Sequence, residues 1–288
     1  MNFDPQQAGR DRLRLASALR ALRSATGLSG ERLAARCGMS QSKISRIETG
    51  RTLPTLVDVR HILTALGVDA ATAEEIRRLA EIANTEYEDV RTSVRRGLHH
   101  RQRELAILEA GADHIRHFLP TMITGLLQTP EYMRRALSPT VDPTAGDTTK
   151  TMVMKLERQS VLHDEEKRFD FLLTESATRW QLCHPSAMAL QLDHLVAISR
   201  LPRIRLHILP LRQQMNDAPF NTFVIYDSHL VTVELFSGRL ILRDPKDIAY
   251  HRELFDYFAA RSLSGDDARR QIESWSESFR RQSMQKRD

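Results

Sequence analysis

The chain has 288 residues, with 42 Lys and Arg against 37 Asp and Glu, which gives a net charge of +5 at pH 7. It contains no apolar run of about 18 residues, and its first residues, MNFDPQQAGRDR, have no apolar core, so the sequence predicts neither a membrane span nor a signal peptide. The two cysteines are far apart in sequence, which indicates reduced thiols in a cytoplasmic protein.

Signals of a small helical bundle begin near the N-terminus. Leu15, Leu19 and Leu22 share one face of a first helix, as their spacing of three to four residues predicts. Glycines suited to the left-handed conformation and residues suited to N-caps mark the ends of this helix and the next ones. These positions are Gly27, Ser29, Ser40, Thr55 with Asp58, and Gly67.

The stretch SGERLAARCGMSQSKISRIETG predicts two helices joined by a tight turn. Ala34 is small, Gly38 tolerates a positive φ, and Ile44 and Ile47 lie one turn apart as core contacts. The exposed face of the second helix carries amide, hydroxyl and cationic groups and no carboxylate before Glu48, which suits the DNA major groove. That face consists of Gln41, Ser42, Lys43, Ser45 and Arg46. Ordinary packing of two helices is the alternative interpretation.

The distribution of charge favours DNA binding. Residues 1–67 contain 11 Lys and Arg and 5 Asp and Glu, whereas residues 68–288 contain 31 and 32. The entire positive excess therefore lies on the segment that contains the two-helix unit. Neutralising DNA phosphates requires such a localised positive charge, whereas a merely solvated helical surface usually mixes both signs.

Residues from about 10 to 67 resemble a Cro/CI-type helix-turn-helix domain, the xenobiotic-response-element class of repressors. The matching stretches are LRLASALRALRSATGLS, ERLAARCGMSQSKISRIETGRTLPTL and VRHILTALGV. The resemblance implies a bundle of four or five helices that binds a palindromic operator in double-stranded DNA as a homodimer. The family often has Gln, as a phosphate contact, early in the motif's first helix, where this chain has Gly30. Ser29 or Arg32 would then supply that contact.

Positions on the second helix of the motif suggest separate roles in binding DNA. Gln41 lies near the start of this helix, where its amide can pair with adenine, and Arg46 can contact guanine through two N–H groups of its guanidinium. Ser42 and Lys43 divide between bases and phosphates. Arg51, in the following loop, is a predicted phosphate contact.

Glu48 needs a separate explanation, because a carboxylate next to DNA is unfavourable. The resemblance implies that Glu48 points inward and forms an ion pair with Arg23 of the first helix. A solvated glutamate at a helix end is the alternative.

Beyond Gly67 the composition changes. We expect a helix-turn-helix domain over 1–83, a helical connector over 84–112 and a C-terminal domain over 113–288, with 72–83 as one more amphipathic helix. Apolar residues continue at helical spacing from Leu105 as far as Ile115. The arginines of the connector either contact flanking DNA or form a solvated helix face. They are Arg91, Arg95, Arg96, Arg101 and Arg103.

The C-terminal part alternates predicted strands and helices. The strands are FDFLLTES, IRLHILPL, FNTFVIYD, LVTVELF and RLILRD, and the helices lie around 130–137, 147–163, 186–200, 245–263 and 266–283. The last three strands follow one another through short loops, which predicts an antiparallel meander. The predicted fold class is therefore α+β, an all-α helix-turn-helix bundle followed by an α+β domain with a mainly antiparallel sheet.

Residues from about 113 to 280 resemble a family of actinomycete antitoxin-like transcriptional regulators. The stretches that carry this resemblance are FLPTMITGLLQTPEYMRRAL, LERQSVL, LLTESATRW, LDHL, RIRLHILP and APFNTFVIYD. Such regulators have a Cro/CI-type head and a large C-terminal domain of uncharacterised activity. Their genes commonly neighbour one for a small toxin-like protein, which implies that the C-terminal domain binds that protein.

An enzymatic role finds little support in the sequence. Cys183 and His184 are adjacent, which rarely gives a productive pair, and a helix start explains Glu175 and Ser176 equally well. His114 and His117 can share a helix face, but no further residues at metal-ligand spacing accompany them. Glycine-rich phosphate-binding loops are absent from the sequence. We therefore expect no catalytic activity, no cofactor and no metal.

Two hypotheses remain open for the C-terminal domain. It binds a small protein partner that alters operator affinity, or it senses a small molecule. A large exposed apolar patch would favour the first hypothesis, and an apolar pocket with a few polar groups would favour the second.

Overall fold

A computed structural model describes residues 5–89, 98–138 and 148–285 of the chain. It divides into two compact units. The first unit combines Met1–Asp89 with Gly238–Ile248, and the second combines Val90–Ser237 with Ala249–Asp288. The domain boundaries expected from the sequence remain predictions.

The first unit is a five-helix bundle with a pair of strands. Its elements are α1 (Pro5–Ala25), α2 (Gly30–Cys37), α3 (Gln41–Glu48), α4 (Leu56–Leu66), α5 (Ala70–Asn84), β1 (Thr85–Asp89) and β7 (Gly238–Leu242). Leu15, Leu19, Ile44, Ile47 and Ile62 are buried in its core. The two strands, β1 and β7, run antiparallel.

The predicted helix ends of this unit are confirmed. Gly27, Gly38 and Gly67 have φ of 67°, 65° and 64°, the left-handed conformation that glycine adopts without steric cost. The side chains of Ser29 and Ser40 accept N–H groups at the starts of α2 and α3. Thr55 and Asp58 form a reciprocal capping box at α4. Local sequence and fold therefore agree throughout the bundle.

The second unit contains most of the remaining elements. In chain order these are α6 (Leu98–Ala110), β2 (His114–Leu119), α7 (Pro130–Ala136), α8 (Thr148–Arg158), β3 (Arg168–Thr174), α9 (Glu175–Arg179), α10 (Pro185–Ile198), β4 (Ile204–Leu209), β5 (Phe223–Tyr226), β6 (Leu230–Leu235), α11 (Pro245–Ala259), β8 (Leu263–Ser264) and α12 (Gly265–Gln285). Two short 3₁₀ helices, Gly125–Leu127 and Gln159–His163, lie among them.

The sheet of the second unit has the order β6-β5-β2-β3-β4-β8. Its outer pairs, β5 with β6, β2 with β5 and β4 with β8, are antiparallel. The central strands β2, β3 and β4 run parallel, because helices in the connections from β2 to β3 and from β3 to β4 return the chain to the same edge. The predicted α+β class is confirmed, and the central strands add a parallel region to the mainly antiparallel sheet.

The segment predicted to be a helical connector contains both kinds of secondary structure. β1 occupies Thr85–Asp89 and α6 begins at Leu98, while Arg91, Arg95 and Arg96 lie outside the described residues. The expected helical face that extends to Ile115 is wrong, because β2 begins at His114. Among the described residues, no helix is long and apolar enough to cross a membrane.

Candidate nucleic-acid interface

The two helices of the motif meet through a turn at Gly38. The N–H of Met39 donates to the carbonyl of Ala34 at 2.9 Å, which closes the end of α2. Ala34 is 3 % exposed, and Ile44 and Ile47 are each 1 % exposed. Because these apolar side chains face the core, the opposite side of α3 is presented to solvent.

The solvent side of α3 carries neutral hydrogen-bonding groups and one guanidinium. Gln41, Ser42, Ser45 and Arg46 are exposed. Ser42 Oγ lies 3.1 Å from Oγ of the N-cap residue Ser40. This face can donate to and accept from base edges without placing a carboxylate near phosphates.

Lys43, also predicted to lie on the DNA-reading face, forms an ion pair within the bundle. Its Nζ donates to Asp58 Oδ1 at 2.7 Å. The N–H of Thr55 donates to the second oxygen of Asp58 at 3.1 Å, which is half of the α4 capping box. Sequence reasoning identified the cap but missed its ion pair, because nothing local indicates that α3 and α4 approach each other here.

Glu48 turns away from the exposed face and pairs with Arg23. Arg23 Nε donates to Oε1 at 2.6 Å, and a terminal nitrogen donates to Oε2 at 2.9 Å. Another terminal nitrogen of Arg23 donates to the carbonyl of Leu28 at 2.7 Å. The hydrogen bond to Glu48 raises the pKa of Arg23, against the opposing effect of burial. The pair connects α1 to the end of α3 and neutralises the carboxylate.

The predicted phosphate contacts lie on either side of α3 in the sequence. Ser29 Oγ accepts the N–H of Arg32 at 3.2 Å, so Ser29 caps α2, while the Arg32 side chain is exposed. Arg51 is also exposed, and its N–H donates to the carbonyl of Arg46 at 2.8 Å. Gly50 before it has φ of 68°, and a Cβ there would lie 2.9 Å from the Leu13 side chain. The loop that carries Arg51 is therefore closely packed.

The two histidines that the sequence suggested as possible metal ligands do not share one face of the protein. His114 and His117 lie on β2, where residues three apart point to opposite faces, so the expected shared helix face is wrong. His114 Nε2 lies 2.7 Å from Asp170 Oδ2. His117 is 3 % exposed, and among the residues that the structure describes neither of its ring nitrogens has a hydrogen-bond partner. Burial lowers the pKa of His117 to about 3, assisted by nearby Arg158.

Other polar residues tested for catalysis take structural positions. His184 Nδ1 lies 2.8 Å from Ser186 Oγ at the start of α10, and burial raises the pKa of the neighbouring Cys183 thiol. Glu175 accepts Arg179 at 2.5 Å and the N–H of Leu211 at 3.1 Å. His184 and Glu175 therefore support local structure.

Sequence reasoning missed an open cavity of about 1130 Å³ in the second unit. Its walls include Met122, Trp180, Leu211 and Phe236, all of which are exposed. They come from four separate segments, so no local pattern indicates that they meet. The sequence features that come nearest to indicating the cavity are Trp180 and the long polar stretch after β4.

Comparison with protein families identifies both parts of the chain. Residues 14–76 match a family described as a helix-turn-helix domain. Residues 102–274 match a family described as a domain of unknown function, DUF5753. The chain belongs to the DUF5753 family. The helix-turn-helix match beside the DUF5753 domain supports a DNA-binding regulator.

Comparisons with individual proteins add little. No match to a curated protein was found. TrmBL2, an archaeal chromatin protein described as showing a novel mode of DNA binding, has a TM-score of 0.32 at 9% identity, over 63% of this chain and 53% of that chain. This chain thus spans about half the length of TrmBL2. Nuc, a phospholipase D family member from Salmonella typhimurium, has a TM-score of 0.33 at 12% identity, over 57% of this chain and 90% of its own. Neither likeness is strong enough to inform fold or function.

Proposed function

We propose that the chain is a sequence-specific transcriptional regulator of the Cro/CI type, whose recognition helix α3 enters the major groove of an operator. The exposed set Gln41, Ser42, Ser45 and Arg46 is the observation that carries this proposal. It is supported by the ion pair that holds Glu48 on Arg23, because an unpaired carboxylate would repel phosphates. The role is one of binding, without catalysis.

The regulator acts as a homodimer on a palindromic site. Two copies of α3 related by a two-fold axis would contact half-sites whose centres are about 34–36 Å apart, one helical turn of DNA. Specificity then comes from Gln41 and Arg46 at the bases, and Arg32 and Arg51 add affinity through phosphates.

Selection of bound fragments from genomic DNA tests this proposal. The full chain is expected to enrich one palindromic sequence, and a Gln41→Ala, Arg46→Ala double variant is expected to lose that enrichment. Arg78→Ala, on an exposed face of α5, is the matched control and is expected to retain it. Enrichment of single, asymmetric sites would contradict the homodimer, and enrichment of no sequence would contradict specific recognition.

We further propose that the DUF5753 domain makes the regulator antitoxin-like by binding a small toxin-like protein encoded nearby. Exposed aromatic side chains support a protein contact here, since Phe220 is 80 % exposed and Phe236 is fully exposed. Co-purification with the product of the neighbouring gene, followed by operator titration with and without it, is the test. Unchanged operator affinity in a stable complex would argue against a regulatory partner.

A small-molecule signal is the second candidate. The cavity in the DUF5753 domain favours it, because concave and mainly apolar sites with a few polar groups are typical of ligand binding. Such a ligand would regulate only if it bound the DNA-competent and incompetent states with different affinity.

A further inference from the structure

In the second unit, the cavity lies beyond the carboxyl ends of the central strands of the sheet. The parallel strands β2, β3 and β4 end at Leu119, Thr174 and Leu209. The residues that line the cavity include Pro120–Met122 after β2, Ser176 after β3 and Pro210 after β4. Ligands of open α/β sheets bind in crevices outside the carboxyl ends of the strands, and here the chain crosses these ends on its way from β4 to β5. The topology therefore places this cavity where a ligand site is expected.

The lining combines apolar surface with exposure to water. Trp180 is 67 % exposed and Leu211 is 65 % exposed, while Phe236 is fully exposed. Met122, Leu182 and Met215 extend the same apolar lining. Covering such side chains with an apolar molecule releases water, which favours binding in proportion to the apolar surface that is buried.

One wall of the cavity is a long loop that hydrogen bonds hold in place. The loop runs from β4 to β5, and the N–H of Leu211 at its start donates to Glu175 Oε2 at 3.1 Å. Further along, the N–H of Asn216 donates to the hydroxyl of Tyr257 at 3.0 Å. A wall fixed in advance lowers the entropy that a ligand must overcome on binding.

The charge at the cavity indicates the chemistry of its ligand. Arg135 lines the cavity, and its Nε donates to the carbonyl of Leu182 at 3.3 Å, which orients the guanidinium. Within the described residues, no carboxylate forms an ion pair with Arg135, whereas its neighbour Arg134 pairs with Glu131. A guanidinium presents terminal N–H groups in a planar fork that matches a carboxylate. Asp217 supplies the opposite charge elsewhere in the lining, on the exposed loop.

We propose that this cavity binds a small organic molecule with an extended apolar body and one carboxylate, which contacts Arg135 while its apolar body covers Trp180 and Phe236. The inference rests on the second candidate function and names its ligand class. The volume, about 1130 Å³, lies slightly above the range of about 300–1,000 Å³ that is usual for small-molecule sites, so a ligand with a long chain or several rings fits.

Trp180 provides a direct readout of binding. The chain has two tryptophans, and Trp275 is 8 % exposed while Trp180 lines the cavity. Decanoate added to the full chain, without DNA, is expected to cause a saturable blue shift in tryptophan emission. Trp180→Phe is expected to abolish this shift while calorimetry still detects binding. Decan-1-ol and decyltrimethylammonium, which match the chain length without the anion, are expected to bind at least tenfold more weakly.

Matched variants assign the contacts. Arg135→Gln is expected to weaken decanoate binding about tenfold and to leave decan-1-ol unchanged, whereas Arg134→Gln on the same helix leaves both unchanged. Phe236→Ser is expected to weaken the binding of both probes, and Leu190→Ser, at another exposed apolar site outside the cavity, is expected to weaken neither. Because Phe236 and Arg135 are exposed, these substitutions are not expected to impair folding.

Several results would overturn the inference. They are the absence of a saturable shift, equal decanoate affinity in Arg135→Gln and Arg134→Gln, preference for the ammonium probe, or burial of Trp180 only when a protein partner is added. Because DNA is absent from the titration, its outcome is independent of operator recognition. A chain that binds decanoate and no operator would contradict the proposed DNA binding alone, and one that binds operator but not decanoate would contradict the ligand proposal alone.

Discussion

Lys43 and Asp58 form an ion pair between α3, the second helix of the helix-turn-helix motif, and α4, with Nζ 2.7 Å from Oδ1. Asp58 is 8 % exposed and also accepts the N–H of Thr55, so one carboxylate joins two helices and caps one of them. Although Lys43 belongs to the predicted DNA-reading face, its ammonium is directed at Asp58. We therefore expect Lys43 to contribute less to DNA affinity than the exposed arginines.

Salt dependence distinguishes Lys43 from Arg51. A residue that contacts one phosphate adds about 1 to the slope of log affinity against log salt concentration. Arg51→Gln is expected to reduce this slope by about 1, and Lys43→Gln to leave it unchanged. Binding of the full chain to one operator duplex at several salt concentrations measures both slopes. Equal reductions in the two variants would mean that Lys43 leaves Asp58 for a phosphate.

Arg46 and Arg51 are expected to differ in specificity. Arg46 lies on the exposed face of α3 and Arg51 in the loop after it. Arg46 can therefore reach base edges, and Arg51 can reach the phosphates of the DNA backbone. Arg46→Ala is expected to lose about 1–3 kcal/mol of discrimination between operator and a single-base variant. Arg51→Ala is expected to weaken binding to operator and random DNA alike. Competition assays with both duplexes measure the difference, and matching losses in the two variants would contradict the separation of roles.

The pair of Arg23 and Glu48 is expected to matter for stability. The two side chains are 17 % and 10 % exposed, so removing one partner leaves a largely buried charge without compensation. Glu48→Gln is expected to lower the free energy of unfolding by about 3–5 kcal/mol. Urea unfolding of the full chain measures this, with Glu74→Gln as the control, because Glu74 pairs with Arg77 on an exposed face. A loss in Glu48→Gln no larger than in the control would show that Glu48 behaves as a solvated residue.

Different parts of the fold were predictable for different physical reasons. The caps Ser29 and Ser40 and the glycines that end helices act within one turn of chain, so their sequence neighbourhood determines them. The strand β2 could not be recognised in the same way, because it contains three charged or titratable residues in HIRHFL and continues an apolar spacing that also suits a helix. Without β2, the parallel pairing of β2 with β3 could not be inferred, whereas the predicted succession of β3, a helix and β4 already favours a parallel pair.

The two candidate sites also differ in how far they can be recognised from the sequence. The face of α3 is one helix, so its members are visible as a periodic set from Gln41 to Arg46. The cavity requires residues as distant as Met122 and Phe236 to meet, and only the sheet order brings them together. Arg135 likewise carries no sequence sign that separates it from Arg134. Their difference, one at a cavity and one paired with Glu131, comes from the fold alone.

The buried histidine of β2 makes stability depend on pH. His117 is 3 % exposed and stacks on Phe171 with ring centroids 4.9 Å apart, and its pKa falls from 6.5 to about 3. Because the folded state resists a proton that the unfolded state accepts, the contribution of His117 is fully present above pH 6.5. It is lost as the pH falls from 6.5 towards 3. Between pH 6.5 and pH 5 the loss from this one group is about 2 kcal/mol, at about 1.4 kcal/mol per pH unit.

His117→Phe keeps an aromatic ring against Phe171 and removes the titrating group. The variant is expected to lose about 2 kcal/mol less of its free energy of unfolding than the parent chain between pH 6.5 and pH 5, as urea unfolding at several pH values measures. His184→Asn, at an exposed position, is the control and is expected to follow the parent chain. Parallel pH profiles for the parent and His117→Phe would mean that His117 takes up its proton in the folded state, with Arg158 or the surrounding strands moving to accommodate the charge.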